Sequence, residues 1–288
     1  MVVRIGGVAS TDAAPFLKWA GGKARLLPVL TAVYRKVAPT GRYFEPFLGG
    51  GALFFGLVAE GLLLPRRAVL SDFNPHLIDA YTAVRDQPDA LLDLLEEHQS
   101  RHDSEHYARV RSSVPRDRLG RAARMIYLNR TCFNGLYREN AKGGFNVPMG
   151  RYRNPRIADR SRIEASSRTL QEVALSCRGF LEAGRDVVAG DFVYLDPPYF
   201  PLSRTSSFTR YVGDDFGADQ QVALRDLCRD LAARGATVLV SNSDCAFIRD
   251  LYGDWPMLSV SMPRSINAQT SGRGDVAELL ICNRPAFC

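Results

Sequence analysis

The four residues Asp196-Pro197-Pro198-Tyr199 combine a carboxylate, two residues with no backbone N–H and an aromatic ring. Consecutive prolines stiffen the backbone and leave carbonyls without neighbouring donors. A carboxylate beside a carbonyl forms an acceptor pair suited to an NH2 group on a planar heterocycle, such as the exocyclic amine of adenine. That nitrogen is a poor nucleophile because its lone pair is delocalised into the ring. Held through its two N–H bonds by the Asp196 carboxylate and the Pro197 carbonyl, it is pushed towards a pyramidal form that can attack a methyl group. Tyr199 would stack on the ring. Such catalysis acts through positioning and preorganised polarity, without a covalent intermediate. Alone, the quartet is equally a proline-rich turn at a strand end.

A second constellation lies upstream in FEPFLGGGALFF, residues 44–55. Glycines at 49–51 let backbone approach a ligand closely, and the helix that follows presents free N–H groups. Asp72 stands about twenty residues further on, at the end of the next apolar run, where a carboxylate can accept from both ribose hydroxyls. This pattern calls for a nucleotide-type cofactor, either a dinucleotide or S-adenosylmethionine. The glycine spacing departs from GxGxxG, which disfavours the dinucleotide.

The elements needed to position these groups are legible. Residues 42–47 read as a strand into the glycine turn, followed by a helical ALFFGLVAEG. Residues 67–71 read as a second strand, and Asn74-Pro75 as the start of another helix. Further strands are predicted at 173–177, 192–195, 237–241, 257–262 and 277–282, and a helix from about Lys23. Strand–turn–helix–strand–acid–helix opens a doubly wound α/β domain, with Asp196 at the carboxyl edge of the sheet where such folds bind ligands. Between the halves the texture changes. Residues 87–129 are helical and charged, and 130–152 are rich in Gly, Asn and aromatics, as in a hairpin or ordered loop.

Composition narrows the class. The chain has 288 residues, 46% hydrophobic and 24% charged, which suits a globular protein. No apolar run approaches the length of a membrane span, and the first residues lack a signal-peptide pattern; a cytoplasmic location is expected. Residues 101–165 carry fifteen Lys/Arg against six Asp/Glu, whereas the whole chain has a net charge of +6. The basic charge is therefore concentrated in the middle, as expected either for a polyanion partner or for a solvated helical face. The six cysteines form no CxxC pair, and Cys132 lacks the Pro-Cys context of a cytosine C5 nucleophile. His98, His102 and His106 are spaced by four on one helix face. Methyl transfer from a sulfonium requires no metal, and none is expected.

The sequence resembles the Dam-type (D12 class, alpha group) DNA adenine N6-methyltransferases from Phe16 to about Leu280. The resemblance rests on FLKWAGGK (16–23), FEPFLGGGA (44–52), SDFNPHLI (71–78), LNRTCFNGLYREN (128–140) and GGFNVPMGRY (143–152). It continues in YLDPPYFPLSRTSSFTRY (194–211), VSNSD (240–244) and RSINAQTSGR (264–273). It implies a Rossmann-like S-adenosylmethionine-dependent methyltransferase core, at 12–86 and 173–288, with an inserted, mainly helical DNA-recognition domain at 87–172. It implies that Trp19 and Lys23 contact the cofactor, near its adenine end and near the catalytic pocket respectively. Asp72 would hold the ribose, the turn containing Phe47, Gly49 and Gly51 would pass beneath the methionine part, and Asp196 would touch both cofactor and target amine.

Phe133 occupies the place of an aromatic that wedges into the duplex as adenine flips out. Lys18, Asn134, Leu136, Arg138, Pro148 and Tyr152 would face the bases; Arg and Lys suit guanine edges, Leu and Pro a thymine methyl. The resemblance implies duplex DNA as partner, admits a cognate restriction endonuclease, and implies a monomer acting at GATC or a related site. Thr131-Cys132-Phe133 and Tyr137 depart from the enterobacterial pattern, which leaves the site open. The alternatives are methylation of cytosine N4 or an RNA guanine, or a catalytically silent DNA-binding regulator. Against these stand Asp where N4 enzymes usually carry Ser, the 128–140 block that small RNA enzymes lack, and an Asp196 that a pure binder does not need.

Overall fold

A computed structural model describes residues 14–19, 23–140, 142–201, 216–263 and 275–284. The first residues, Gly21-Gly22, most of the stretch after Phe200 in the 194–211 block, the 264–273 block and Cys288 lie outside the described residues. The described chain forms a seven-stranded sheet in the order β3-β2-β1-β4-β5-β7-β6. Its strands are β1 (Tyr43–Glu45), β2 (Ala68–Asp72), β3 (Ala174–Cys177), β4 (Phe192–Leu195), β5 (Thr237–Ser243), β6 (Met257–Pro263) and β7 (Asp275–Cys282). The pairs β3/β2, β2/β1, β1/β4 and β4/β5 are parallel. β7 runs antiparallel between β5 and β6. The sheet is the mixed α/β arrangement expected of a Rossmann-like methyltransferase core. Its strand order reverses at β1/β4, so both ligand-type motifs sit at one switch point.

The central strands β1, β4 and β5 are buried on both faces, and alternation sorts the side chains of the sheet into two cores. Tyr43, Leu70, Tyr194, Leu239 and Leu280 face one core; Phe44, Val193, Leu195, Val238, Val240, Leu279 and Ile281 face the other. The first core is closed by α1 (Leu27–Val37), α2 (Ala52–Ala59) and α3 (Pro75–Asp86), and runs on into α4 (Pro88–Ser100), α5 (Ser104–Ser112), α6 (Arg118–Thr131) and α7 (Arg160–Leu170). The second is closed by α8 (Phe180–Ala183), α9 (Ala218–Ala233) and α10 (Ala246–Leu251). On α9 the buried residues Gln221, Leu224, Leu227, Cys228 and Leu231 make one stripe at helical spacing.

Local chemistry explains the boundaries. The Asn74 side chain accepts from the backbone N–H groups of His76 and Leu77, with Pro75 at the first helical position, so α3 starts there. Asp103 and Asp117 cap α5 and α6 in the same way. One start differs from expectation. Lys23–Arg25 form a single 3-10 turn, and the α-helix begins at Leu27, with Pro28 in its first turn.

From Cys132 to Tyr152 the chain doubles back without a regular ladder. Cys132 bridges Met149 and Glu139 bridges Phe145. The Asn140 N–H donates to the Gly144 carbonyl and the Asn146 N–H to the Arg138 carbonyl. No helix among the described residues is long and apolar enough to cross a membrane.

Candidate active site

Asp196 leaves β4 immediately beside the end of β1. Its Oδ2 lies 3.0 Å from the Lys23 ammonium, whose side chain is only 5% exposed. Its other oxygen, Oδ1, is buried and has no hydrogen-bond partner among the described residues. An unpaired buried acceptor is costly and marks a place for a donor that arrives with a ligand. Burial pushes the Asp196 carboxyl up to about 6, against the pull of Lys23, and the nearby Glu278 raises it further.

Lys23 also lies 4.7 Å from the centroid of the Tyr199 ring, on its face, and 4.0 Å from Glu278 Oε2. The Tyr199 hydroxyl donates to Glu278 at 2.7 Å. Burial and the two carboxylates hold this phenol well above its ordinary range, so it stays a donor. Glu278 comes from β7, where the register sets it opposite Ser243 of β5. It was not among the sequence candidates. Its signal was a lone charge inside the otherwise apolar run AELLIC.

The glycine turn is held from two sides. Gly49 and Gly51 adopt positive φ of 48° and 64°, and the Tyr81 hydroxyl donates to the Gly49 carbonyl at 3.1 Å. A Cβ on Gly49 would lie 2.8 Å from the Trp19 ring and one on Gly51 would lie 2.8 Å from the Tyr81 hydroxyl, so only glycine fits. Trp19 thus rests on this turn. Phe47 stacks on Phe180 at 5.4 Å.

Asp72 accepts from the backbone N–H groups of Gly49 at 3.0 Å and Asn74 at 2.9 Å. Burial nonetheless pushes it up to about 6. The next residue, Phe73, is 70% exposed beside it, an aromatic that sequence reasoning passed over. Glu45, at the end of β1, is 3% exposed and accepts from the Tyr43 hydroxyl at 2.7 Å. Burial raises its carboxyl to about 8, with smaller contributions from Asp196 and Asp72. Four carboxyl groups, Glu45, Asp72, Asp196 and Glu278, therefore gather here with the Lys23 ammonium. With more carboxyl groups than ammonium, this group of side chains favours a positively charged ligand.

The remaining candidates form a second group. Backbone of Lys18 and side chain of Asn129 bond reciprocally: the Lys18 N–H donates to Asn129 Oδ1 at 2.8 Å, and Asn129 Nδ2 donates to the Lys18 and Gly135 carbonyls. The Lys18 ammonium sits 4.4 Å from the centroid of Tyr152. Phe133 is 48% exposed, and its N–H donates to the carbonyl of exposed Pro148. Asn134 takes a positive φ of 55° and is exposed. Leu136 is half-buried against the core, and exposed Arg138 donates from Nε to Asn146 Oδ1 at 2.7 Å. Tyr137 stacks on Trp19 at 5.7 Å, which joins this group to the glycine turn.

Cys132 is buried, and burial pushes its thiol up to about 12, an environment unlike that of a nucleophile. His98 and His106 share a hydrogen bond of 3.0 Å around Tyr127, whose hydroxyl meets His102 at 2.9 Å. Among the described residues no group of three or more His, Cys, Asp or Glu is arranged to hold a metal ion.

The glycine turn with Asp72, the Asp196 carboxylate beside Lys23 and the exposed side chains of the 130–152 segment lie on a chain with known relatives. A family model for D12 class N6 adenine-specific DNA methyltransferase matches residues 19–266. A Type II methyltransferase of Lactococcus lactis subsp. cremoris is 42% identical over 277 residues, covering 93% of this chain and 95% of that protein. A Type II methyltransferase of Methanocaldococcus jannaschii is 40% identical over 286 residues, covering 93% and 98%. A DNA adenine methylase of Vibrio cholerae is 34% identical over 280 residues, covering 94% and 96%. With a match that takes in the glycine turn, Asp72, the 130–152 segment and Asp196 through Tyr199, the chain belongs to the D12 class of N6 adenine-specific DNA methyltransferases.

Proposed function

We propose that the chain methylates N6 of an adenine flipped out of duplex DNA, within GATC or a related site, with S-adenosylmethionine as donor. The observation that carries this reading is Asp196, with one oxygen on Lys23 and the other buried and unpartnered in a carboxyl-rich crevice. When bound, S-adenosylmethionine supplies an electrophilic methyl group on a sulfonium. Its positive groups fit a site where carboxyl groups outnumber the ammonium. Asp72 would hold its ribose, Trp19 and Phe73 its aromatic part, and the turn containing Phe47, Gly49 and Gly51 its methionine end, close to Lys23 and Asp196.

Asp196 Oδ1 and the Pro197 carbonyl accept the two N–H bonds of the target amine and localise its lone pair. Lys23 holds the carboxylate in place and occupies one face of Tyr199, and the adenine ring would stack on the other. The amine loses a proton after transfer, and a carboxylate at Asp196 can accept it. Residues 87–172 act as the recognition part: Phe133 fills the gap left by the flipped base, and Lys18, Asn134, Leu136, Arg138, Pro148 and Tyr152 read the neighbours. The protein works on DNA as a monomer in the cytoplasm. A cognate endonuclease is a natural second component, since two of its relatives are named as Type II methyltransferases.

The test is transfer of labelled methyl from S-adenosylmethionine to a GATC duplex, with Asp196→Ala as control. Wild-type transfer to N6, with loss in the variant while DNA binding persists, is expected. Turnover at the wild-type rate in Asp196→Ala refutes the assigned role.

A further inference from the structure

Pro197 and Pro198 cannot donate to a sheet ladder, so once β4 ends nothing in the backbone pattern holds the segment that carries Tyr199. Three buried polar side chains do so instead. Gln221, in the first turn of α9, is fully buried and donates from Nε2 to the Pro198 carbonyl at 3.0 Å. Its Oε1 accepts from Asn242 Nδ2 at 3.0 Å. Asn242 is also fully buried, and its Oδ1 accepts from the Phe200 N–H at 3.3 Å and the Ser243 N–H at 2.8 Å. The Ser243 hydroxyl donates to the Phe200 carbonyl at 2.8 Å.

The backbone on both sides of Tyr199 is thus gripped by α9 and the end of β5. The arrangement is directional. Gln221 must donate forward to Pro198 and accept behind from Asn242, and Asn242 must present its oxygen to Phe200. Buried amides held in one orientation on both sides are expensive unless every bond is made, and when made they define a single geometry. The same stretch of β5 faces Glu278, the acceptor for the Tyr199 hydroxyl, so backbone and ring are aligned from one place.

We infer that Gln221, Asn242 and Ser243 are positioning residues for methyl transfer: they set the placement of the Pro197 carbonyl and the Tyr199 ring against the target base. This rests on the role proposed above for Asp196 through Tyr199. It gives the VSNSD segment a function that no chemistry of its own suggests. A displacement of the acceptor pair by a fraction of an ångström lowers the rate of transfer without weakening cofactor binding.

The full chain tests this through Gln221→Glu, measured by single-turnover methyl transfer across pH 5.5 to 8.5. A protonated Glu can donate to the Pro198 carbonyl and accept from Asn242; an ionised one sets acceptor against acceptor. Burial raises its pKa, so the variant's rate relative to wild type is expected near unity at the acid end. It then falls about tenfold or more as pH rises, with KM for S-adenosylmethionine within about twofold. Gln221→Met, similar in volume and without an amide, should be slow at every pH. Should either variant fold poorly, Ser243→Ala removes the 2.8 Å bond to Phe200 together with the hydroxyl's longer contacts to Asn242 and Cys245, and should lower the rate severalfold at an unchanged folded fraction.

A pH-independent ratio for Gln221→Glu overturns the inference, as does wild-type turnover in Ser243→Ala or a rate loss that tracks the folded fraction. Absence of transfer in the wild-type chain would instead refute the donor or acceptor proposed above.

Discussion

Replacing Glu45 by Gln is expected to make the ligand-free protein more stable at alkaline pH. Glu45 is buried at the end of β1, with its carboxyl raised to about 8 by loss of solvent. In the unfolded chain it titrates near 4.5. A carboxyl whose folded pKa is raised binds more protons in the folded state, so stability falls as pH rises from the unfolded to the folded value. The slope is about 1.4 kcal/mol per pH unit, and across this window the loss reaches roughly 5 kcal/mol. That is a third or more of the stability of an ordinary domain. Gln keeps an oxygen for the Tyr43 hydroxyl and carries no titrating group.

Urea titrations of both proteins from pH 5 to 9 should therefore diverge, the variant gaining about 3 to 5 kcal/mol relative to wild type by pH 9. Asp72 and Asp196 titrate in both proteins, so they largely cancel in the difference. Stability curves that stay parallel within about 1 kcal/mol would refute the view that ionising Glu45 in this crevice is costly.

The same carboxyl groups should release protons when a cationic donor binds. The affinity of S-adenosylmethionine is expected to rise with pH up to about 8, and calorimetry in buffers of different ionisation enthalpy should show the release, diminished in Glu45→Gln. Lys23→Met removes the ammonium whose pull keeps the buried Asp196 carboxyl from rising above about 6; its acid limb of activity should move to higher pH, with a rate loss of roughly tenfold at neutrality. An unmoved pH–rate profile would count against the pairing. Arg138→Ala should narrow the preference for the cognate site over single-base variants by about 1 to 3 kcal/mol, read from initial rates on matched duplexes; an unchanged ratio removes Arg138 from base contact. Burial and the neighbouring His106 lower His98 to about 4. A depressed His contributes stability that is lost as pH falls from about 6.5 to about 4. His98→Gln should flatten that acid slope in urea titrations, and a slope equal to wild type would dismiss the effect.

The parallel half of the sheet was legible because its strands carry continuous apolar runs ending in marked residues: Gly49 through Gly51, Asp72 and Asp196. Their meeting followed from the switch-point rule, which needs only strand order. Glu278 and Gln221 were not legible for the opposite reason. One lies in a strand threaded antiparallel between two others, the other in the first turn of a helix whose pattern reads as ordinary amphipathic sequence. Their partners are set by β7's register and by the packing of α9. The irregular doubling back of 132–152 was visible as texture. Its joining to the core through Asn129 and the Trp19–Tyr137 stack depends on contacts distant in sequence.

The place of β7 has a consequence during synthesis. Chains emerge amino end first, and domains assemble as their contacts become available. The pairings β3/β2, β2/β1, β1/β4 and β4/β5 involve no residue of 275–282, yet without that strand Tyr199 has no Glu278 to receive its hydroxyl and Lys23 lacks its second carboxylate. A nascent or prematurely terminated product would carry the glycine turn, Asp72 and the 130–152 segment with the surroundings of Tyr199 unfinished. Competence to mark DNA would thus come at the last step of assembly, and truncated products that reach the genome would be poor writers.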